Sequence, residues 1–266
     1  MHTEPLHPMR ALMRRIAKSL HINPSVIKNK LGIDFYARDR AELLRQRGND
    51  TTFAWGKKYA VLNERDETSG VMSGHYFHQD LYVAQRIFAN NPKRHIDIGS
   101  RTDGFVAHVA SFRTIEVLDI RPQPATVKNI QFRKANLMEL PEGMSRCCDS
   151  VSSLHAIEHF GLGRYGDPVN YLGHVHAVEA IAKMLVPGGR FYFSVPMGPQ
   201  RIEFNAHRVF TLKYLLQWLS ADFTIERFSY VDDAGNFHEN AVLSDDVVAV
   251  DFNCHYGCAI FELIRK

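Results

Sequence analysis

Asp97, Gly99 and Asp119 have the types and spacing of a nucleotide-binding turn. An apolar run containing Ile96 and Ile98 ends at Gly99, a loop of small and polar residues continues to Gly104, a helical pattern spans Phe105 to Phe112, and a second apolar run ends at Asp119. The order is strand, glycine turn, helix, strand. Such a unit brings free backbone N–H groups and the positive end of a helix to the carboxyl edge of a parallel sheet, where a nucleotide-like ligand can lie on them. Asp119 falls where an acidic residue at the tip of the second strand accepts hydrogen bonds from ribose hydroxyls. A glycine between strand and helix is also ordinary punctuation, so spacing alone leaves a structural role open.

The elements that must position these residues follow from the rest of the chain. Its 266 residues suit one large α/β domain with extensions or two small domains, and 45% hydrophobic with 23% charged residues describes a globular protein. No apolar run approaches the roughly 20 residues of a membrane span. The net charge of +3 is uneven, because residues 1–60 hold 12 Lys and Arg against 5 Asp and Glu. A basic arm on a mildly acidic body can touch phosphate, acidic glycan or a membrane surface, but a solvated helical face is the commoner cause, and nucleic acid is not favoured as a partner. The 4 cysteines are too few for a disulfide scaffold and match no usual zinc spacing, which suits reduced thiols in a cytoplasmic protein.

Residues 1–20 alternate Leu6, Met9, Leu12, Met13, Ile16 and Leu20 with arginines, an amphipathic basic helix rather than a secretory signal. Asn23-Pro24 reads as the start of a second helix that Gly32 stops, and a third runs from about Ala37 to Arg47 before Gly48. Residues 1–90 are thus expected to form an N-terminal helical extension, suited to homo-oligomer contacts, and residues 91–266 the main domain. Phe77, Leu81, Ala84 and Phe88 form one stripe of a helix leading into the first strand. Its other side shows His75, His78, Gln79 and Asp80, which either face water or cover a cleft. Strands are expected at about 94–99, 114–120, 130–135, 149–154 and 190–196, with helices near 104–112 and 172–185, hence right-handed crossovers and a parallel sheet. A helix at about 211–220 precedes strands at 224–231 and 257–264, which should pair antiparallel.

The stretch from Ile96 to Phe105 resembles the first motif of class I S-adenosylmethionine-dependent methyltransferases, and Leu185-Val-Pro-Gly-Gly-Arg-Phe191 resembles the turn before their fifth strand. His75–Asp80, Glu158–Asp167 and Phe204–Arg208 resemble a little-studied set of bacterial methyltransferase-like domains. The resemblance implies an α/β Rossmann-like, mostly parallel seven-stranded sheet with an antiparallel last strand and helices on both faces. It also implies S-adenosyl-L-methionine as cofactor. Asp97 and Gly99, with Ser100, Arg101 and Gly104 of the turn, would lie at its methionine end, Asp119 on the ribose, Ile120 against the adenine, and Asn136 with Leu137 at the adenine amine. His155, at the end of the fourth strand, would face the methyl group. The family commonly has glycines where Arg101 and Asp103 stand; an arginine there could pair with the cofactor carboxylate or crowd it.

Methyl transfer from a sulfonium is an in-line displacement in which positioning alone can supply about 7–11 kcal/mol. A hydroxyl acceptor must also lose a proton, and histidine is the natural base near neutral pH. His159 and His207 are the foremost candidates, with His155 and Glu158 beside them. His155, Glu158 and His159 could converge on a metal, but three ligands so close in sequence are weak evidence and none is assigned. Residues 161–167 read either as a flexible glycine-rich loop exposing Arg164, Tyr165 and Asp167 to a polar acceptor or as a plain connector with the tyrosine packed beneath it. The expected activity is methyl transfer to a small polar or glycan-like acceptor, O-methylation favoured. Its rivals are a catalytically inactive binding or scaffold protein of the same fold and an NAD-dependent oxidoreductase, against which the Pro-Gly-Gly turn argues.

Overall fold

A computed structural model describes residues 24–62 and 64–266, so the basic segment 1–20 lies outside the described residues. The chain divides into two compact units, with the boundary between Val71 and Met72. In the first, α1 runs unbroken over Pro24–Arg47. Gly32 therefore does not stop the helix, since a glycine inside a helix costs only about 1 kcal/mol relative to alanine. The irregular segment that follows is tied to α1 by its cations: the Arg40 and Arg47 guanidinium groups lie 5.1 and 5.9 Å from the centre of the Trp55 ring, and Arg65 donates to Asp39 at 2.9 Å.

The second unit begins with α2 (His75–Asn90), followed by β1 (His95–Ile98), a π-helical turn at Thr102–Val106, α3 (Ala107–Ala110), β2 (Ile115–Asp119), β3 (Ile130–Lys134) and β4 (Cys148–Leu154). Then come α4 (Gly173–Met184), β5 (Leu185–Met197), β6 (Arg201–Glu203), β7 (His207–Val209), α5 (Leu212–Leu219), β8 (Phe223–Val231), β9 (Phe237–His238), α6 (Asp245–Ala249) and β10 (Gly257–Arg265). The main sheet runs β3-β2-β1-β4-β5-β10-β8-β9, and β6 and β7 make a separate hairpin. β1 to β5 are parallel, while β10 is antiparallel to both β5 and β8. The sheet has eight strands rather than seven because the two-residue β9 pairs with the end of β8. Leu185 pairs with Cys148 and Arg190 with Ser150, so Pro187-Gly188-Gly189 is looped out within β5, with Gly188 at φ +79°. The helix expected over 104–112 is shorter, because Gly104 (φ −126°, ψ −105°) departs from helical geometry.

Alternation along the strands sorts side chains to two faces. Ile96, Ile98, Val151, Phe191 and Phe193 pack under α4 and α5 on one side; Val117, Leu154, Tyr192 and Ile260 pack against Val83, Ala84 and Ile87 of α2 on the other. β1 carries a buried polar row on that second side, His95 and Asp97. At β1 the strand order reverses, so the chain leaves β1 and β4 in opposite directions and opens a crevice at their carboxyl ends.

Helix α2, read from sequence as the close of the extension, packs within this second unit. Its anchor is Glu262 of β10, whose carboxylate is 2% exposed. Arg86 donates to it at 2.9 Å, Asn90 at 2.8 Å and Arg190 of β5 at 2.6 Å. Replacing a buried ion-pair partner leaves its cations uncompensated, typically at about 3–5 kcal/mol. Because Arg86 and Arg190 keep a quarter of their surface in water, Glu262→Ala is expected to cost the low end, about 3 kcal/mol, measured by urea unfolding. The stripe expected from sequence does not face the core, since Phe77, Leu81 and Phe88 are exposed while Gln79, Asp80, Val83, Ala84 and Ile87 are buried; a loss below about 0.5 kcal/mol, the range of a neutral surface substitution, would show that the α2 helix is held by Val83, Ala84 and Ile87 alone.

Candidate active site

A cleft of about 640 Å³ opens at the carboxyl edge of the sheet. One wall is Gly99, Leu118, Asp119, Ile120, Asn136 and Leu137; the other is His155, Glu158, His159 and His207, and His75, Tyr76 and Tyr256 complete the lining. The sequence-derived residues are thereby brought together, with three exceptions. Asp97, Ser100 and Gly104 lie behind the lining.

Asp97 is fully buried and organises the turn from within. Its Oδ1 accepts from the hydroxyls of Ser100 and Ser152, each at 2.6 Å, and its Oδ2 accepts from the Ser100 N–H at 3.0 Å. Burial pushes its pKa up to about 7, against the pull of the Ser100 and Ser152 hydrogen bonds. Ser152, donating to Asp97, has only a lone pair for His95 Nε2 at 3.1 Å, and His95 Nδ1 lies 2.7 Å from Ser150 Oγ. This makes His95 a neutral Nε2–H tautomer, and burial holds its pKa near 3. Ser100 Oγ in turn accepts the Leu154 N–H at 3.0 Å, joining the turn after β1 to the end of β4.

Gly99 is required where it stands. Its φ is +70°, and an added Cβ would come within 3.1 Å of Ala156 Cβ on the opposite wall. At Gly104 a Cβ would come within 2.5 Å of Asp80 Oδ2, a buried carboxyl of α2. The two residues that break the glycine pattern neutralise one another: Arg101 forks onto Asp103 at 2.8 and 3.1 Å and lies 5.1 Å from the Tyr76 ring centre. Asp119 is likewise paired, accepting from the Arg121 N–H at 2.8 Å and from Nε at 2.9 Å, while Arg121 stacks 4.4 Å over Tyr165. Asn136 Oδ1 accepts the Met138 N–H at 3.1 Å, leaving its amide NH2 for other partners.

The four candidate acid–base residues differ in what holds them. His155, at φ +48°, gives Nδ1 to Glu158 Oε1 at 2.8 Å, and its Nε2 faces His75 Nδ1 at 3.1 Å. Burial opposes charge on His155, but Cys258 and Glu158 outweigh it and raise the pKa; burial and the His155 charge lower His75 to about 4. Glu158 is buried, stays ionised because His155 and His159 offset its burial, and has one oxygen, Oε2, with no hydrogen-bond partner. His159 Nδ1 donates to the Ala206 carbonyl at 2.6 Å, which leaves Nε2, 3.7 Å from Glu158, as its basic atom. Burial lowers the pKa of His159 despite Glu158. His207, on β7 rather than in an open crossing loop, has Nε2 3.0 Å from Glu203 Oε2 without hydrogen-bond alignment.

The loop 161–167 is tied down rather than flexible. Asp167 accepts the backbone N–H groups of Gly161, Gly163 and Tyr165, so it is turn-forming and half-buried, and Arg164 donates to the Ala206 carbonyl at 2.9 Å. Arg208, whose role the sequence does not disclose, clamps this wall by donating to the carbonyls of Glu158, Phe160 and Tyr171. Tyr256 also went unforeseen, since its place depends on the register of β10 beside β5. His75 and Asp80 were visible as the polar side of the helix start.

Comparison with solved structures matches the chain to one fold. At TM-score 0.50 and 18% identity, 71% of the chain superposes on 78% of 1,6-didemethyltoxoflavin-N1-methyltransferase from Burkholderia thailandensis, a structure holding 1,6-didemethyltoxoflavin and S-adenosylhomocysteine. At TM-score 0.50 and 12% identity, 73% of it superposes on 99% of N-methyltransferase NodS from Bradyrhizobium japonicum. The chain has the class I methyltransferase fold. Residues 114–235 match a sequence family described as a Caenorhabditis protein of unknown function, DUF268. No curated protein matches the chain in sequence. Among the described residues, no helix is long and apolar enough to cross a membrane.

Two outcomes follow for the methyltransferase-fold cleft. Gly99→Ala, forced into a left-handed conformation against Ala156, should cost about 1–2 kcal/mol in urea unfolding; an unchanged midpoint would mean the turn relaxes freely. A histidine NMR titration should give His159 an apparent pKa below the ordinary 6.5, so that it is neutral and able to accept a proton at pH 7. A value above 6.5 would make it an acid instead.

Proposed function

We propose that the protein is an S-adenosylmethionine-dependent methyltransferase acting on a small polar or glycan-like acceptor, with O-methylation favoured. The observation that carries this is the two-walled cleft, in which a glycine turn and an acidic strand tip face a set of histidines across the switch point of the sheet. S-adenosyl-L-methionine supplies an electrophilic methyl group on a sulfonium, taken by in-line displacement.

The residues fit that cofactor. Gly99 presents backbone without a side chain, and Asp119 accepts ribose hydroxyls beside its Arg121 contacts, since a carboxylate offers about four lone-pair sites. Ile120 and Leu137 flank the adenine, and Asn136 uses its amide toward the base edge. Arg101, at the turn, exchanges Asp103 for the cofactor carboxylate. Asp97, Ser100 and Gly104 act from behind the lining, fixing the turn. On the facing wall His159 Nε2 takes the acceptor's proton: its Nδ1–H is committed to Ala206, its neutral form prevails near pH 7, and Glu158 steadies the imidazolium once formed. His207 and Tyr256 shape the acceptor side, and His155 closes the floor. Alignment of donor and acceptor is the larger part of the effect.

One observation favours the alternative, a methyltransferase-fold protein that binds without catalysing: Arg121 already occupies both oxygens of Asp119. Calorimetry with S-adenosylhomocysteine decides between functional and occluded clefts. Binding is expected, weakened about 10- to 100-fold by Asp119→Ala, as for loss of hydrogen bonds to a charged group, with none for NAD. A folded protein that binds neither S-adenosylmethionine nor S-adenosylhomocysteine would sink the enzyme reading.

A further inference from the structure

Three ligating atoms converge at the floor of the cleft from three separate elements: His75 at the start of α2, His155 just after β4, and Cys258 near the start of β10. One such atom from each lies within 4.8 Å of the other two. Nδ1 of His75 and Nε2 of His155 stand 3.1 Å apart. On a tetrahedral zinc with Zn–N near 2.0–2.1 Å and Zn–S near 2.3 Å, two nitrogens are separated by about 3.4 Å and sulfur from nitrogen by about 3.6 Å. The imidazoles already have that separation to within a few tenths of an ångström, and the thiol, within 4.8 Å of both, needs to close by no more than about 1.2 Å.

The surroundings prepare the same atoms. Glu158 receives the Nδ1–H of His155 at 2.8 Å, so a metal ion that displaces the remaining proton of this imidazolium would take the lone pair of Nε2, the atom that faces His75. A carboxylate holding the far nitrogen of a ligating histidine is the usual outer support of a metal site. Two imidazole nitrogens facing one another at 3.1 Å must have either a hydrogen-bonding proton or a metal ion between them. Cys258 is fully buried, whereas His75 and His155 line the cleft, so an ion among the three would have one open side. Two imidazoles and a thiolate suit zinc and not magnesium or calcium, which take oxygen ligands.

We propose that His75, His155 and Cys258 bind one zinc ion at the floor of the cleft, its fourth position open toward the acceptor side. Three protein ligands with one open position is the arrangement of catalytic rather than structural zinc. An acceptor oxygen on that position gives up its proton to His159 more readily. This role, unlike the binding itself, rests on the methyl-transfer reading.

The test uses the full chain, stripped with a chelator and titrated with zinc alone, with metal content measured after dialysis. The expected result is one zinc per chain, affinity falling about 10- to 100-fold in Glu158→Gln through loss of the outer support, and stoichiometric binding lost in Cys258→Ser and in His75→Ala. Cobalt substitution should give a thiolate charge-transfer band that Cys258→Ser lacks, a signature a merely structural thiol would not produce. Circular dichroism and S-adenosylhomocysteine titration of each variant report folding and the cofactor half separately. Zinc binding without cofactor binding supports the metal site and removes the methyl-transfer reading; cofactor binding by a folded wild-type protein that takes up no zinc overturns the metal site. Cys258→Ser binding zinc as tightly as wild type overturns it as well.

Discussion

The cleft depends on one buried carboxylate. Asp97 sits with no solvent exposure at the end of β1, and its two oxygens are shared among Ser100 and Ser152. A buried acid without partners would cost several kcal/mol. Here three hydrogen bonds join it to the turn after β1 and to β4, and Ser100 passes the connection on to the Leu154 backbone. The walls of the cleft grow from those two places. The separation between the glycine turn and the histidine wall is therefore set by a chain of short polar contacts inside the sheet, behind the surface a ligand would touch.

In front of that frame the charges are mutually satisfied. Arg101 holds Asp103, Arg121 holds Asp119, and Arg164 and Arg208 hold carbonyls of the opposite wall. Glu158 differs, with one oxygen buried and unpartnered beside the imidazoles of His155 and His159. Partly exposed pairs are worth little and exchange partners cheaply. A buried, half-satisfied carboxylate does not, and it makes the floor of the cleft the place where a cation or a proton is most stabilised.

Much of this was legible in the sequence because it is local. The β1 turn, Asp119 and the Pro-Gly-Gly loop announce themselves through spacing, and the parallel order follows from alternating elements. Gly32 misled because a glycine is a weak breaker where the helix on both sides is continuous. Asp167 looked like a ligand-gripping side chain because sequence does not tell a carboxylate that faces solvent from one that collects three backbone N–H groups. The cluster of His75, His155 and Cys258 had no local signal. Its members are brought together only when α2 is anchored on Glu262 and β10 takes its register beside β5, both long-range events.

β10 fills the gap between β5 and β8 and bonds to each along most of its length. Strand β5 is made long before β10, and the chain between them includes a hairpin, two helices and β8. On a ribosome adding about 5–20 residues per second, the apolar edge of β5, with Phe191, Phe193 and Val195, is unpaired for several seconds. The nascent protein thus passes through a stage in which half a sheet is formed and its middle is an open edge, the geometry that invites pairing with another chain. That edge is closed only once β10 has been made and lies antiparallel to β5.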